Sequence, residues 1–267
     1  MLSFQKKTAL ITGASSGIGE SFAKALAAKG ANLILVARSG DKLKKLASQL
    51  NVQFKVNTQV IVADLSDPKA PQKIHSAATK KGQAVGILIN NAGFGTRGHF
   101  HTLQADKEHS EIMVNVAAMV SLTHLFLPSM VRKKDGIIVN VASGASFQPL
   151  PFMAVYGATK AFVLSLSEAL WAEYRKEGIR FLALCPGETE TNFEKAMGNT
   201  QGIFGRRRSV ESVVKTALRA LERGKSYAVD GGMNYFLTNS VRFAPRSVVA
   251  KMTARIMEPK KAKSKKR

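Results

Sequence analysis

Tyr156 and Lys160 stand four residues apart, and Ser143 lies thirteen residues before the tyrosine. If this segment is helical, the two side chains share one face, so the ammonium lies close to the phenol. A neighbouring positive charge favours the phenolate and lowers the pKa of the tyrosine from about 10. These residues predict proton exchange with a carbonyl or alcohol oxygen, to which the serine hydroxyl could also donate a hydrogen bond. Taken alone, the same spacing is also typical of a solvated helix face.

A glycine-rich turn near the start of the chain predicts a phosphate site. Thr8–Thr12 is a short apolar strand candidate, and residues 20–29 have the apolar spacing of a helix. Gly13, Gly17 and Gly19 stand between them. Glycines allow a tight turn, and the first N–H groups of a helix attract phosphate. Their position between a strand and a helix favours a nucleotide-binding turn over an ordinary one.

The end of the next predicted strand indicates which cofactor this turn prefers. Asn32–Ala37 completes a βαβ unit and is followed by Arg38, with no acid beside it in the chain. Sites that prefer NAD place a carboxylate near this strand end, where it holds the ribose hydroxyls. A guanidinium suits a 2′-phosphate instead. The sequence therefore predicts a dinucleotide site that prefers NADP(H).

Strand and helix candidates continue to alternate along the chain. A long apolar helix is predicted over residues 108–131, with Asn115 inside it, and Lys160 lies in a further helix that runs to about residue 175. The later strand candidates cover residues 59–63, 87–89, 137–141, 180–184 and 227–229. This alternation predicts an α/β fold, a Rossmann-type doubly wound parallel sheet with helices on both faces.

Ligands of such sheets bind beyond the carboxyl ends of the strands. The residues that follow predicted strand ends, within two positions, are Gly13, Arg38, Asp64, Asn90, Ser143 and Pro186. We therefore expect one site at one edge of the sheet.

The motifs, taken together, resemble the short-chain dehydrogenase/reductase family in its ordinary-length, single-domain branch. The resemblance covers about residues 5–231. It rests on the glycine turn, Asp64, Asn90-Asn91-Ala92-Gly93, Asn115, Ser143, Tyr156-xxx-Lys160 and Pro186-Gly187-xxx-Thr191. Each motif is modest alone, but their order and spacing together are specific.

The resemblance implies a role for each candidate residue. Tyr156 would be the general acid/base, Lys160 would bind the nicotinamide ribose and lower the tyrosine pKa, and Ser143 would orient the substrate oxygen. Asn115 would support a water that connects Lys160 to solvent. The implied cofactor-binding residues are Gly13, Ser15, Ser16, Gly17, Ile18, Gly19, Arg38, Asp64, Leu65, Asn91, Ala92, Gly93, Tyr156, Lys160, Pro186, Gly187, Thr189 and Thr191.

The expected reaction transfers a hydride between NADP(H) and a carbonyl or secondary alcohol. Residues 190–207 mix apolar and glycine residues, which predicts a mobile, partly apolar lid. The expected partner is therefore a small-molecule, hydrophobic carbonyl substrate, and a bulky hydrophobic ketone is plausible. A 3-ketoacyl thioester, a steroid-like ring and a xenobiotic carbonyl compound all remain open. A non-catalytic cofactor-sensing regulator is the alternative from another class, although the retained Ser143, Tyr156, Lys160 and Asn115 argue against it. Glu188 and Glu190 have no role in the family pattern, and we expect ordinary solvated loop acids.

Composition limits the partners and the compartment. The net charge of +22 favours anionic partners, but no recognition-helix pattern supports nucleic acid. One cysteine, Cys185, excludes an internal disulfide and fits a reducing compartment, so we expect a cytoplasmic protein. Neither a secretory signal nor a membrane-spanning helix is expected. His99 and His101 lack further ligands at a suitable spacing, so no metal site is expected.

We predict a catalytic domain over residues 1–232, an amphipathic helical extension over 233–259, and a disordered basic tail over 260–267. Apolar residues recur at helical spacing in the extension, with basic residues beside them. Two interpretations stay open: the helices cap the substrate cleft or a dimer, or they lie peripherally on an anionic membrane. We also expect a homo-oligomer, because two helices, residues 113–131 and 161–174, carry excess apolar residues and the family commonly pairs such helices.

Overall fold

The computed structural model describes residues 2–191, Phe193 and residues 207–258. Its centre is a seven-stranded sheet in the order β3-β2-β1-β4-β5-β6-β7, and every pair of neighbouring strands is parallel. The strands are β1 (Thr8–Thr12), β2 (Asn32–Ala37), β3 (Thr58–Val62), β4 (Val85–Asn90), β5 (Gly136–Val141), β6 (Ile179–Cys185) and β7 (Tyr227–Val229). The strand order reverses direction between β1 and β4, which creates the crevice where such sheets bind ligands.

Helices cover both faces of the sheet, which confirms the predicted Rossmann-type α/β fold. The helices of the described part are α1 (Gly17–Ala27), α2 (Gly40–Phe54), α3 (Ala70–Ala78), α4 (Ala105–Ile112), α5 (Ala118–Lys133), α6 (Ala154–Tyr174), α7 (Val210–Glu222), α8 (Gly232–Ser240) and α9 (Arg246–Met257). Because alternate strand residues point to opposite faces, Ile11 packs with α1, α2 and α7, whereas Leu10 packs with α3 and α5. Two core layers result.

The long helix predicted over residues 108–131 begins earlier and is not regular. It runs from Ala105 to Lys133, and a π-helical turn, Met113–Ala117, separates α4 from α5. This run is long and apolar enough to cross a membrane by length and composition, which differs from the expectation drawn from uninterrupted apolar runs. Leu122, Phe126 and Met130 of α5 are buried against the sheet, as in the core helix of a globular protein.

The C-terminal extension forms two helices, and α8 packs beside the carboxyl end of the sheet. Asn234 lies against Gly187, and Thr238 lies against Gly144. Asp230, just before α8, is fully buried and accepts hydrogen bonds from Arg208 Nε at 2.9 Å and Thr216 Oγ1 at 2.6 Å. These contacts fix the start of α8 beside the end of the sheet. Most of the lid predicted over residues 190–207, and the predicted tail 260–267, lie outside the described residues.

Candidate active site

The predicted proton-transfer pair lies on α6, close to its N-terminal end. Residues 156, 160, 163 and 167 are all buried, which is the three-to-four residue spacing of a helix face against a sheet. Lys160 Nζ donates a hydrogen bond to the carbonyl oxygen of Val141, at the end of β5, over 2.8 Å. The same atom lies 5.8 Å from the centre of the Tyr156 ring. The helix therefore brings the ammonium and the phenol together, as their spacing predicts.

The pKa of Tyr156 differs from the expectation. Burial raises the pKa of Tyr156 to about 12, a hydrogen bond with Ser143 opposes this rise, and the charge of Glu111 adds to it. Burial also lowers the pKa of Lys160 to about 8. The prediction that Lys160 lowers the tyrosine pKa is thus wrong for this arrangement. The reason is that both groups are desolvated and the ammonium donates to a main-chain carbonyl.

Ser143 is held in place by the short 3₁₀-helix Gly144–Phe147 that follows β5. Its hydroxyl accepts a hydrogen bond from the Ala145 N–H at 3.1 Å, while its own N–H donates to Ser146 Oγ at 3.2 Å. The Ser146 hydroxyl in turn donates to the carbonyl oxygen of Lys160 over 2.8 Å. This capping box ties the serine loop to α6, so that Ser143 and Tyr156 keep their relative positions.

Asn115 lies in the π-helical turn and connects three parts of the site. Its Oδ1 accepts from the Phe94 N–H at 3.1 Å, and its Nδ2 donates to the Phe94 carbonyl oxygen at 2.9 Å and to Thr159 Oγ1 at 3.1 Å. A Cβ on Gly93 would lie 2.9 Å from Asn115 Oδ1 and 3.3 Å from Lys160 Nζ, so only glycine permits this approach. The asparagine thereby fixes the loop after β4 next to Lys160.

Glu111, which the sequence analysis did not single out, is fully buried one helical turn before Asn115. Its Oε2 accepts hydrogen bonds from Thr96, from the N–H at 2.8 Å and from the hydroxyl at 3.0 Å. Its Oε1 has no hydrogen-bond partner among the described residues. Burial raises the pKa of Glu111 to about 7, and the charges of Glu108 and Lys160 act in opposite directions on it. An acid at an inward position of an apolar helix was the available sequence signal.

The glycine turn forms the nucleotide end of the site. Gly13 has a φ of +64°, and a Cβ on Gly19 would collide with the Gly13 carbonyl oxygen, so both positions require glycine. Ser15, Ser16 and Ile18 are partly exposed along the turn, and α1 starts at Gly17. In the described structure the Ser16 side chain makes no cap hydrogen bond, so the first N–H groups of α1 remain suited to phosphate. The residues present therefore fit the pyrophosphate of a dinucleotide.

Asn91 mainly supports this turn. Its Nδ2 donates to the carbonyl oxygen of Thr12 over 2.9 Å, and the N–H groups of Asn91 and Ala92 both donate to Thr12 Oγ1 at 3.0 Å. The ends of β1 and β4 are thus joined directly below the glycine turn. Asn91 and Ala92 both lie where the resemblance expects the cofactor to pass.

Arg38 lies at the end of β2 with 78% of its side chain exposed. The Asp64 carboxylate, from the end of the adjacent β3, is 4.0 Å from its guanidinium. No acidic residue stands next to Arg38 in the chain, but the parallel pairing of β2 with β3 brings Asp64 beside it. The expectation that no acid lies beside Arg38 is therefore wrong. Asp64 accepts from the Ser66 N–H at 3.0 Å, which lowers the pKa of its carboxyl group. The Leu65 side chain is buried in the core, so only its main chain could face a ligand.

The segment after β6 closes the far side of the site. The Gly144 N–H donates to the Pro186 carbonyl oxygen over 2.8 Å, and the Thr189 hydroxyl donates to the Gly187 carbonyl oxygen over 3.0 Å. The Thr191 methyl group lies beside Gly17 of the glycine turn. Glu188 and Glu190 both pair through their main chains with Arg208.

An apolar cluster adjoins the reacting end of the site. Leu150, Met153, Tyr156 and Met257 are its buried members, and the Phe193 ring lies 5.5 Å from the Tyr156 ring. Met257 is the last residue of α9, and its carbonyl oxygen accepts a hydrogen bond from Arg97 over 3.0 Å. The end of the C-terminal extension therefore packs in the same cluster as Tyr156.

Two further sequence candidates lie apart from the chemistry. The His99 ring packs edge-on against Phe152 at 5.1 Å and lies 5.8 Å from the His101 ring. Among the described residues there is no group of three or more potential metal ligands. Cys185 is fully buried at the end of β6, and this burial raises the pKa of its thiol.

The described arrangement joins a glycine turn, the buried Tyr156 and Lys160 with the partly buried Ser143, and an apolar cluster at the carboxyl edge of one sheet. A family model described as short chain dehydrogenase matches residues 7–202. The chain therefore belongs to the short chain dehydrogenase family, a family of oxidoreductases, which confirms the resemblance noted from the motifs.

Three known proteins illustrate the range of its relatives. Very-long-chain 3-oxoacyl-CoA reductase of Homo sapiens is 31% identical over 238 residues, which cover 86% of this chain and 74% of that protein. Inactive hydroxysteroid dehydrogenase-like protein 1 of Homo sapiens is 38% identical over 180 residues, covering 67% of this chain and 54% of that protein. The solved structure of a short-chain dehydrogenase from Sphingobium yanoikuyae in complex with NADPH has a TM-score of 0.79 and 33% identity, covering 89% of this chain and 94% of that chain.

Proposed function

We propose that this protein uses NADPH to reduce the carbonyl group of a bulky hydrophobic ketone, with 3-ketoacyl thioesters as the favoured substrate class. The observation that carries the proposal is a buried Tyr156 placed beside Lys160, with an apolar cluster around its ring. This arrangement supplies a proton donor in apolar surroundings, which is what reduction of a hydrophobic ketone needs.

The protonation of Tyr156 favours the reductive direction. Since burial raises the pKa of Tyr156 to about 12, the phenol carries its proton at neutral pH and can donate it to a carbonyl oxygen. Ser143 would hold that oxygen through a hydrogen bond, and the bond would strengthen as negative charge develops on it. NADPH, when bound, supplies the hydride. The chain itself supplies the position of the substrate, the exclusion of water and the proton.

Several residues would hold the cofactor. The N–H groups at the start of α1 would bind the pyrophosphate. The Arg38 guanidinium, with most of its side chain exposed and the Asp64 carboxylate 4.0 Å away, would bind a 2′-phosphate. Lys160, held by the Val141 carbonyl, would bind the nicotinamide ribose. A relative of the same family is known in complex with NADPH, which supports this cofactor.

The favoured substrate class rests on shape, charge and a relative. The Tyr156 ring packs in a cluster with Leu150, Met153 and Met257, and Phe193 lies against it, so the surroundings of the phenol are apolar and suit an acyl chain or a ring system. The net charge of +22 suits an anionic thioester carrier better than a neutral sterol. A relative that is 31% identical over 238 residues is a very-long-chain 3-oxoacyl-CoA reductase.

Turnover by a tyrosine variant tests the mechanism. With NADPH and a panel of 3-ketoacyl thioesters, cyclic ketones and aryl ketones, absorbance loss at the nicotinamide band identifies the substrate class. The Tyr156→Phe variant removes the donated proton and little volume, so we expect turnover to fall by about 10² or more while NADPH still binds. Near-full turnover in this variant would refute Tyr156 as the proton donor.

A non-catalytic cofactor sensor is the second candidate, because one relative is named inactive. A sensor would bind NADPH in fluorescence titrations but oxidise it with no ketone of the panel. Tight NADPH binding without turnover in the wild-type protein would therefore select the sensor and reject the reductase.

A further inference from the structure

The C-terminal extension exposes a row of large apolar side chains. Phe243 has 91% of its surface exposed and Phe236 has 68%. Further exposed apolar residues of the extension are Met233, Tyr235, Leu237, Val248, Met252 and Ile256. Single exposed apolar residues are ordinary on protein surfaces, but eight within 24 consecutive residues are a concentration that indicates an interaction surface.

The two faces of α9 show that this exposure is not needed for packing. Val249, Thr253 and Met257, each four residues apart, are buried against the body of the protein. Val248, Met252 and Ile256, each one position earlier, form a second apolar stripe that faces outwards. A helix that only capped the cleft would need the first stripe alone. The second stripe is therefore not needed to hold α9 in place.

Positive charge accompanies this outer stripe. Arg242, Arg246, Lys251 and Arg255 are all exposed. Within residues 232–258, Glu258 is the single acidic residue. The chain then continues into residues 260–267, six of which are lysine or arginine. Apolar side chains accompanied by basic ones are complementary to an anionic membrane, which has an apolar acyl interior and negatively charged headgroups.

We propose that α8, residues 241–243 and the outer stripe of α9 dock on an anionic lipid surface. Exposed Phe and Met side chains would enter the acyl boundary, and the basic residues would bind the headgroups. If nucleic acid were the partner instead, the apolar stripe would stay exposed to water. A second copy of the same face would place like charges together, which disfavours self-association through it.

This orientation places the site at the lipid surface. The inner stripe of α9 ends at Met257, which packs in the cluster around Tyr156. Asn234 of α8 lies against Gly187 at the other side of the site. The idea that an apolar ketone passes from the membrane to Tyr156 rests on the proposed function. The binding of lipid does not rest on it. A binding assay without substrate or turnover therefore tests the docking surface alone.

Flotation of the full-length protein with vesicles tests the proposal. One vesicle is pure phosphatidylcholine and the other contains about one third phosphatidylserine, each at 50 and 500 mM salt. We expect the protein to float with the anionic vesicles at low salt, and binding to weaken at least tenfold at high salt or without the anionic lipid.

Matched variants separate the docking surface from general charge. The double variant Phe236→Ser/Phe243→Ser and the double variant Lys251→Gln/Arg255→Gln should each reduce binding about tenfold or more, since one basic residue near the surface contributes about fivefold. The controls Val52→Ser and Lys44→Gln/Lys45→Gln remove an exposed apolar side chain and two charges from α2, and should bind as the wild type does. Circular dichroism and thermal unfolding check that each variant is folded.

Three results would overturn the proposal. The wild-type protein could stay in the soluble fraction with anionic vesicles at low salt. The α2 controls could lose as much binding as the extension variants, which would mean that the protein binds the vesicles by unspecific electrostatic attraction. Deletion of residues 260–267 could abolish binding while both extension variants retain it, which would assign binding to the tail instead of to the helices.

Discussion

Burial moves the pKa values of Tyr156 and Lys160 in opposite directions, up for the phenol and down for the ammonium. The charge of Glu111 raises both pKa values, so it favours the protonated form of the tyrosine and the protonated form of the lysine. Between about pH 7 and pH 8 all three groups hold the states that a proton donor beside a ribose-binding ammonium requires. This carboxylate thus influences the chemistry without facing the glycine turn or the apolar cluster.

Replacing Glu111 should shift the alkaline side of the pH profile. The Glu111→Gln variant keeps the shape but removes the charge that raises the pKa of Lys160, so the lysine loses its proton at a lower pH than about 8. We expect the alkaline fall of kcat/KM for ketone reduction to move to lower pH. Below about pH 7 the wild-type carboxyl is itself protonated, so the two profiles should converge.

The exposed acid Glu222 on α7 provides the control for this measurement. Its Glu222→Gln variant changes the same charge far from Lys160 and should leave the profile unchanged. An unchanged profile in Glu111→Gln as well would show that the buried carboxylate does not act on Lys160.

Arg38 should determine the choice of cofactor. In the Arg38→Ala variant, loss of a charge-assisted contact to the 2′-phosphate should cost roughly 1.5–3 kcal/mol, or about one to two decades in NADPH affinity. NADH has no phosphate there, so its affinity should stay nearly constant or rise slightly, because Asp64 then lacks its neighbour. Equal losses for both cofactors in fluorescence titrations would exclude a phosphate contact.

Among the elements, α5 and α6 are the candidates for an oligomer interface. On the outer face of α6, Phe162 has 43% of its surface exposed between the small residues Ala158 and Ser165. Less than half of the most apolar stretch of the helical run Ala105–Lys133 is buried. Apolar surface of this kind on two adjacent helices favours pairing with a second copy.

Light scattering can test this pairing. We expect a dimer or tetramer for the wild type at micromolar concentration, and a weaker assembly for Phe162→Arg by roughly 2 kcal/mol or more. Val52→Arg on α2, where 80% of the native side chain is exposed, should keep the wild-type mass. A monomeric wild type at micromolar concentration would remove the proposal.

The elements also show where sequence patterns stop being informative. Strand and helix alternation follows directly from apolar periodicity, so β1 and β2 have the predicted bounds. The π-helical turn at Asn115 could not be predicted, because one extra residue in a turn leaves the apolar pattern almost unchanged. It is the tertiary contacts of Asn115 with Phe94 and Thr159 that stabilise it.

For the whole molecule, the sequence was sufficient to place the site but not to describe its electrostatics. The position of each strand end places Gly13, Ser143 and Pro186 at one edge, because parallel strands share a direction. The raised pKa of Tyr156 depends on how deeply the phenol is buried, and the Arg38–Asp64 proximity depends on the pairing of β2 with β3. Both quantities come from packing between segments distant in the chain.

The burial of Cys185 makes the molecule convenient for site-specific labelling. The chain has one cysteine, and its thiol is inaccessible and held protonated by its surroundings. A maleimide reagent should therefore leave the native protein unmodified. In a Val248→Cys variant the introduced thiol would be the sole reactive one, and a polarity-sensitive fluorophore attached there would report the environment of the outer stripe of α9 without any native cysteine having to be removed.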